Sequence, residues 1–189
     1  MATKIAVFAS GSGSNFQAIQ EAILRGELDA QIEIVVTDKP DAFVVKRAEQ
    51  FNIPVFSFVA KNYESRVKYE QEIVELLYSK GVEWIILAGY MRLIGETLLQ
   101  EYPNRIVNIH PSLLPSFPGK DAIGQAMAHG VKITGVTVHL VDAGMDTGPI
   151  LNQAAVEVVE GNRAATEECI HAIEHKLYTT TLQKLFKKY

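Results

Sequence analysis

Ile5-Ala6-Val7-Phe8-Ala9-Ser10-Gly11-Ser12-Gly13-Ser14-Asn15-Phe16 decides how the rest of the chain is read. Residues 5–9 are apolar and short, the pattern of a buried strand. A glycine- and serine-rich turn follows, and Phe16, Ile19, Ile23 and Leu24 then fall at the spacing of one buried helical stripe. Small residues let the backbone come close to a ligand, and a helix N-terminus offers unpaired N–H groups to an anion. Gly11, Ser12, Gly13, Ser14 and Asn15 are therefore candidate phosphate contacts. The same residues also suit a plain strand-to-helix turn, with Ser14 and Gln17 as a capping box. A full dinucleotide fingerprint is absent, because Phe16 stands where glycine or alanine should close it. A P-loop is excluded, since no Gly-Lys-Ser/Thr follows. Asp38 falls where a ribose-binding carboxylate would, and Asp38-Lys39-Pro40-Asp41 equally makes an ordinary turn and helix start.

Outward from this unit, the first half alternates between strands and helices. Strands are expected at 5–9, 32–37, 55–58 and 84–88. Between them lie a helix after Asp41 and one over 64–80, with Val67, Ile73, Val74 and Leu77 facing inward. Such alternation predicts βαβ units and a parallel sheet, whose ligands bind beyond the carboxyl ends of the strands. The loops after Ala9, Thr37, Ala88 and Val107 should share one edge. The second half adds extended runs at 134–141 and 150–159, one of them a candidate for antiparallel pairing. A tail helix over 164–188 carries Ile170, Ile173, Leu177, Leu182 and Leu185 on one face. With no internal repeat or linker, the expectation is one α/β domain: a mostly parallel twisted sheet with helices on both faces.

Composition narrows the class. At 189 residues the chain can bury a real core, and 48% hydrophobic with 21% charged residues is ordinary for a soluble globular protein. A net charge of -4 argues against nucleic acid as the main partner. Cys169 stands alone, which excludes an intrachain disulfide and a CxxC metal site; core packing is its expected role. A reducing, cytoplasmic compartment fits. No apolar run reaches the ~18 residues of a membrane span, and no signal peptide is visible.

Two polar clusters carry the chemistry. Asn108-Ile109-His110-Pro111-Ser112-Leu113-Leu114-Pro115 follows a short strand beginning at Arg105, and Asp142-Ala143-Gly144-Met145-Asp146 comes later. Asn108 and His110 are two apart and project to one side of an extended chain. Pro111 and Pro115 stiffen the exit. An amide, an imidazole and a carboxylate can polarise a carbonyl and move a proton. His171-Ala172-Ile173-Glu174-His175 matches a zinc pattern, but only fourteen residues follow it and none is Asp or Glu. A polar helix edge explains it with fewer assumptions, and no metal is expected.

Over essentially its whole length the chain resembles the folate-dependent phosphoribosylglycinamide formyltransferases of purine biosynthesis. The resemblance rests on the Ser10–Asn15 turn, Leu87-Ala88-Gly89-Tyr90-Met91-Arg92-Leu93-Ile94, the run 108–115, Val138-His139 and 142–148. Asn-x-His-Pro-Ser-Leu-Leu-Pro is specific for the wider group that includes methionyl-tRNA formyltransferases and formyltetrahydrofolate hydrolases. Those two usually carry an additional domain, for which the 189 residues leave no room. The resemblance implies a single formyltransferase domain over 1–189. Residues 1–100 form its phosphate-binding half and 101–189 its catalytic and folate-binding half.

It also implies transfer of a formyl group from 10-formyltetrahydrofolate to the amine of glycinamide ribonucleotide, without a metal. Asn108 and protonated His110 would stabilise the oxyanion. Asp146 would orient His110, raise its pKa and help relay the proton. Gly13, Ser14 and Asn15 would hold the phosphate, Gly11 and Ser12 shape the turn, and Glu174 contact the sugar or glycinamide. Arg66, Met91, Arg92, Leu93, Ile94, Asn108, Val141 and Asp142 would form the folate site. His139 either supports these groups from behind or is simply the outward residue of an alternating strand, and it is left outside the catalytic set. The implied partners are small-molecule substrates, with neither nucleic acid nor membrane, and a homodimer is compatible. His171 stands where the family often has Gln, and Thr179 where it often has Pro.

Overall fold

In a computed structural model that describes residues 1–188, the alternating pattern becomes a single seven-stranded sheet. In chain order the elements are β1 (Thr3–Phe8), α1 (Ser14–Leu24), β2 (Ala30–Thr37), α2 (Phe43–Gln50), β3 (Val55–Ser57), α3 (Arg66–Ser79) and β4 (Trp84–Leu87). There follow α4 (Glu96–Glu101), β5 (Ile106–His110), α5 (Ala122–His129), β6 (Ile133–Leu140), β7 (Ile150–Glu157) and α6 (Arg163–Phe186). The strand order is β3-β2-β1-β4-β5-β6-β7. The first five strands are mutually parallel, and β6 is antiparallel to both its neighbours. This is the expected mostly parallel α/β fold with added strands, one of them reversed.

Alternating strand residues feed two cores. On one face Ile5, Val7, Trp84, Ile86, Val107, Val136 and Val138 pack with Phe16, Ile19, Ile170 and Leu182 of α1 and α6. On the other, Ala6, Phe8, Ile85, Leu87 and Ile106 pack with Ile73, Leu77 and Leu98 of α3 and α4. Continuous apolar strands such as Trp84-Ile85-Ile86-Leu87 need cover on both sides, which is why helices lie on both. Caps mark several helix starts. Ser65 accepts from Lys68 N–H at α3, Asp121 from Gly124 N–H at α5, and Asn162 from Ala165 N–H at α6. Gly130, left-handed at φ 78, ends α5.

Several expectations need correction. Leu24 is 66% exposed, because it is the last residue of α1 and has run past the sheet. Val67 is 50% exposed, because α3 begins only at Arg66 and its first turn overhangs the core. Cys169 is exposed rather than packed; it lies next to buried Ile170 but on the outward side of α6. No Ser14–Gln17 capping box forms. Gly13 is the N-cap of α1, with no side-chain cap, and Gln17 bonds Glu21 within the helix. The short helices α4 and α5 had no counterpart in the sequence reading.

Tyr178 clamps the centre. It is fully buried, and its hydroxyl donates to Leu87 O at 2.8 Å and Val107 O at 3.1 Å. Those carbonyls belong to β4 and β5, next to the loops that leave the sheet toward the candidate site. Tyr178→Phe is expected to cost about 1 kcal/mol, or about 2–4 °C in thermal midpoint. An unchanged midpoint in a melting experiment would mean that the hydroxyl contributes nothing to this clamp.

Candidate active site

The antiparallel register of β5 and β6 places Asn108 opposite His139 and His110 opposite Thr137. Asn108 Nδ2 lies 3.3 Å from His139 Nε2, and His139 Nδ1 lies 2.9 Å from Leu140 O. A carbonyl only accepts, so Nδ1 carries the proton and Nε2 accepts from the Asn108 amide. That contact settles which end of the amide is nitrogen and leaves its second N–H free. His139 is 2% exposed, and burial lowers its pKa against the opposing pull of the Leu140 carbonyl and Asp146. A neutral ring is what the acceptor role requires.

Asp146, in the loop between β6 and β7, completes the cluster. Its Oδ2 lies 3.5 Å from His110 Nδ1 and its Oδ1 3.8 Å from His139 Nε2; these are ion-pair rather than hydrogen-bond distances. Gly119 N–H donates to Oδ2 at 2.8 Å and holds the carboxylate in place. His110 Nε2 lies 2.9 Å from Phe117 O. Both ring nitrogens of His110 thus face oxygen acceptors. Phe117 (φ 52) and Asp146 (φ 56) are left-handed although neither is glycine. Such residues cost ~1–3 kcal/mol each and concentrate at functional sites. Sequence reasoning set His139 aside. The one available signal was the alternation of 134–141, which put it on the same face as Thr137 without showing what stood opposite.

The glycine-rich turn lies at the carboxyl end of β1. Gly13 is left-handed at φ 74, and a Cβ there would sit 2.6 Å from Val44 Cγ2. α2 backs the turn: Val44 N–H donates to Gly11 O at 3.1 Å and Arg47 Nε to Ser12 O at 2.7 Å. Gly11 and Ser12 are exposed, Ser14 is partly buried and Asn15 buried. From α6, Glu174 is 6% exposed and accepts from Asn15 Nδ2 at 3.4 Å. His171 Nδ1 lies 3.0 Å from the same carboxylate oxygen, and this hydrogen bond raises the His171 pKa. Asn15 Oδ1 is buried without a partner among the described residues. Two acceptors, one unpartnered and one charged, suit a ligand that brings hydroxyl or amine donors.

The remaining candidates spread along the rim. Met91 and Leu93 are 68% and 51% exposed, whereas the Ile94 side chain is core. Arg92 pairs with Asp38 at 3.0 Å. Arg66, exposed at the start of α3, lies beside Gly95: a Cβ on that glycine would come 2.7 Å from Arg66 Cδ. Val141 N–H donates to Ile106 O, and Asp142 Oδ1 accepts from Gly144 N–H and Thr147 Oγ1. Among the described residues no three His, Cys, Asp or Glu side chains are placed to hold a metal, and no helix is long and apolar enough to cross a membrane.

Residues 3–182 match the formyl transferase family, and the chain belongs to that family. It is 55% identical over 183 residues to the phosphoribosylglycinamide formyltransferase of Bacillus subtilis, covering 96% of this chain and 94% of that protein. The structure of glycinamide ribonucleotide transformylase 1 from Geobacillus kaustophilus is similar with a TM-score of 0.95 at 55% identity, covering 98% of this chain and 99% of that one. The human trifunctional purine biosynthetic protein adenosine-3 is 38% identical over 95% of this chain, which corresponds to 18% of its own length.

Two outcomes follow from the site's packing and charge. Gly13→Ala forces a Cβ against Val44 and is expected to destabilise by about 1–3 kcal/mol, read as a lower urea midpoint. A wild-type midpoint would show slack in the turn. His139 is held below its ordinary 6.5, so below that pH the unfolded chain binds a proton that the folded one refuses. Stability should therefore fall as pH drops below 6.5. His175, also lowered by burial, adds to the fall and His171 opposes it. His139→Gln should flatten the decline below pH 6.5, and an unchanged slope in pH-dependent unfolding would place the titration elsewhere.

Proposed function

We propose that the protein transfers a formyl group from 10-formyltetrahydrofolate to the amine of 5′-phosphoribosylglycinamide, a step of purine biosynthesis. The observation that carries the reading is the meeting of Asn108, His110, His139 and Asp146 on the sheet edge that also bears the Gly11–Asn15 turn. Phe8 pairs with Leu87 and Leu87 with Asn108, so the turn and the polar cluster leave the sheet two strands apart. That separation is about 10 Å. It suits a substrate with a phosphate at one end, a ribose between and an amine at the other. The helix end at Gly13–Asn15 takes the phosphate, and Asn15 with Glu174 takes the sugar hydroxyls or the glycinamide.

The chemistry follows from the donors. The amine attacks the formyl carbon, and negative charge gathers on the formyl oxygen. Asn108, its amide oriented by His139, gives its second N–H to that oxygen. The His110 Nε2–H, held by the neutral Phe117 carbonyl, turns to the oxyanion because a charged acceptor binds it more strongly. Asp146 stabilises the charged His110 ring and passes the amine proton toward the folate nitrogen as the carbon–nitrogen bond to the folate breaks. Met91, Leu93 and the backbone of 141–142 supply a partly apolar wall for a flat heterocycle, and Arg66 supplies a cation for the folate carboxylates. In this reading residues 1–100 bring the phosphate turn and 101–189 the reacting groups, while the folate pocket draws on both. The protein works in the cytoplasm on small molecules, with neither nucleic acid nor membrane as partner.

Absorbance change on mixing the protein with 10-formyl-5,8-dideazafolate tests this directly. Deformylation should require glycinamide ribonucleotide; deformylation without it would make water the acceptor and overturn the transferase reading. His110→Ala and Asp146→Ala should each lower kcat by about 10²–10³ and leave ribonucleotide binding nearly intact. Near-normal turnover in either variant would remove that residue from the mechanism.

A further inference from the structure

Ser10 joins the two halves of the substrate-binding edge. It is the last residue before the glycine-rich turn and is 3% exposed. Its N–H donates to Gly89 O at 3.0 Å, and its Oγ accepts from Met91 N–H at 2.9 Å. The same hydroxyl donates to Asp38 Oδ1 at 2.5 Å. The other oxygen of that carboxylate, Oδ2, takes Arg92 Nε at 3.0 Å. Asp38 is only 6% exposed in its side chain, and Arg92, at 38%, lies with its guanidinium 5.8 Å from the Tyr69 ring centre. The segment 89–92 therefore hangs from the end of β1 by two bonds to Ser10 and a third through Asp38. Neither Asp38 nor Ser10 is needed for the chemical step, and the ribose role that Asp38 could have played is closed off by these contacts.

We infer that the Ser10–Asp38–Arg92 relay couples the phosphate turn to the 91–94 segment, so that ribonucleotide and folate each tighten binding of the other. The inference rests on the proposed function, which puts the two ligands at these two places. Phosphate drawing on the N–H groups of 13–15 holds the end of β1 in one position. Ser10 transmits that position to Met91 N–H and, through Asp38, to Arg92. The conformational freedom of 91–94 is then lost once for both ligands instead of once for each. Coupling of this kind is reciprocal: the factor by which the ribonucleotide tightens the folate equals the factor by which the folate tightens the ribonucleotide. Ser10, Asp38 and Arg92 act here as positioning residues.

The test is a pair of calorimetric titrations on the intact protein, with 5,8-dideazafolate, which carries no formyl group, and with glycinamide ribonucleotide. Each ligand is titrated alone and again with the other saturating. In the wild type the two ratios of Kd should agree and be about fivefold or more. Ser10→Ala, and separately Asp38→Asn, should bring the ratio below about twofold, toward uncoupled binding, while each ligand still binds alone. Because it is a ratio, any direct effect of a substitution on the affinity for either ligand cancels, and a merely structural role for these residues leaves it unmoved. A wild-type ratio of one, or variants that keep the wild-type ratio, overturns the coupling alone. Failure of either ligand to bind the wild type overturns the function on which the coupling rests, and the coupling with it.

Discussion

β6 runs against β5, and Asn108 stands opposite His139 as a direct result. Had β6 been parallel like the strands before it, it would present its side chains in a different register, and the Asn108 amide would lose the neighbour that orients it. Because the pair sits on two hydrogen-bonded strands rather than on loops, its geometry is set by the sheet ladder, which is stiffer than any loop. Loops contribute only what must approach from outside: Phe117 and Gly119 from one connection, Asp146 from another. Both connections carry left-handed non-glycine residues, and the tight sheet beneath them is what holds these in place.

Three imidazoles share this edge of the fold and are kept chemically different by their surroundings. His139, buried beside a backbone carbonyl, is held neutral and accepts a hydrogen bond. His110 has an acceptor at each nitrogen. His171, half-exposed on α6, is drawn toward its charged form by Glu174. One residue type thus covers acceptor, donor and cation, decided by burial in one case and by a carboxylate in another.

Local signals carried most of the architecture. The strand-turn-helix at 5–16 and the apolar runs at 32–37 and 84–88 needed no tertiary information, because period and turn residues are properties of neighbours in sequence. Cap signals for α5 were also present, with Asp121 at its start and Gly130 at its end; its eight residues were too few for a stripe to stand out. What stayed hidden depended on distant partners. Asp38 read as either a ribose carboxylate or a turn residue, and its true partners stayed hidden because Ser10 and Arg92 lie far from it in the chain. His139 stood open between a supporting role and a plain alternating position, because register belongs to two strands at once. Cys169, Leu24 and Val67 were misjudged because helix phase says which residues share a face and not where the sheet beneath them ends.

The loop 142–148 has a shape whose meaning reaches beyond chemistry. Its base is closed twice: Asp142 gathers Gly144 N–H and the Thr147 hydroxyl, and Gly148 lies so near Leu140 O that a Cβ would come within 1.8 Å of it. Met145, between these fastenings, is half-exposed. Such a loop resembles a clasp with a free tongue. A change of side chain is tolerable at Met145 and costly at the fastenings, Gly144 among them, where a Cβ would come 2.0 Å from Thr147 Oγ1; the free tongue is narrow, and Asp146 keeps its aim beside it.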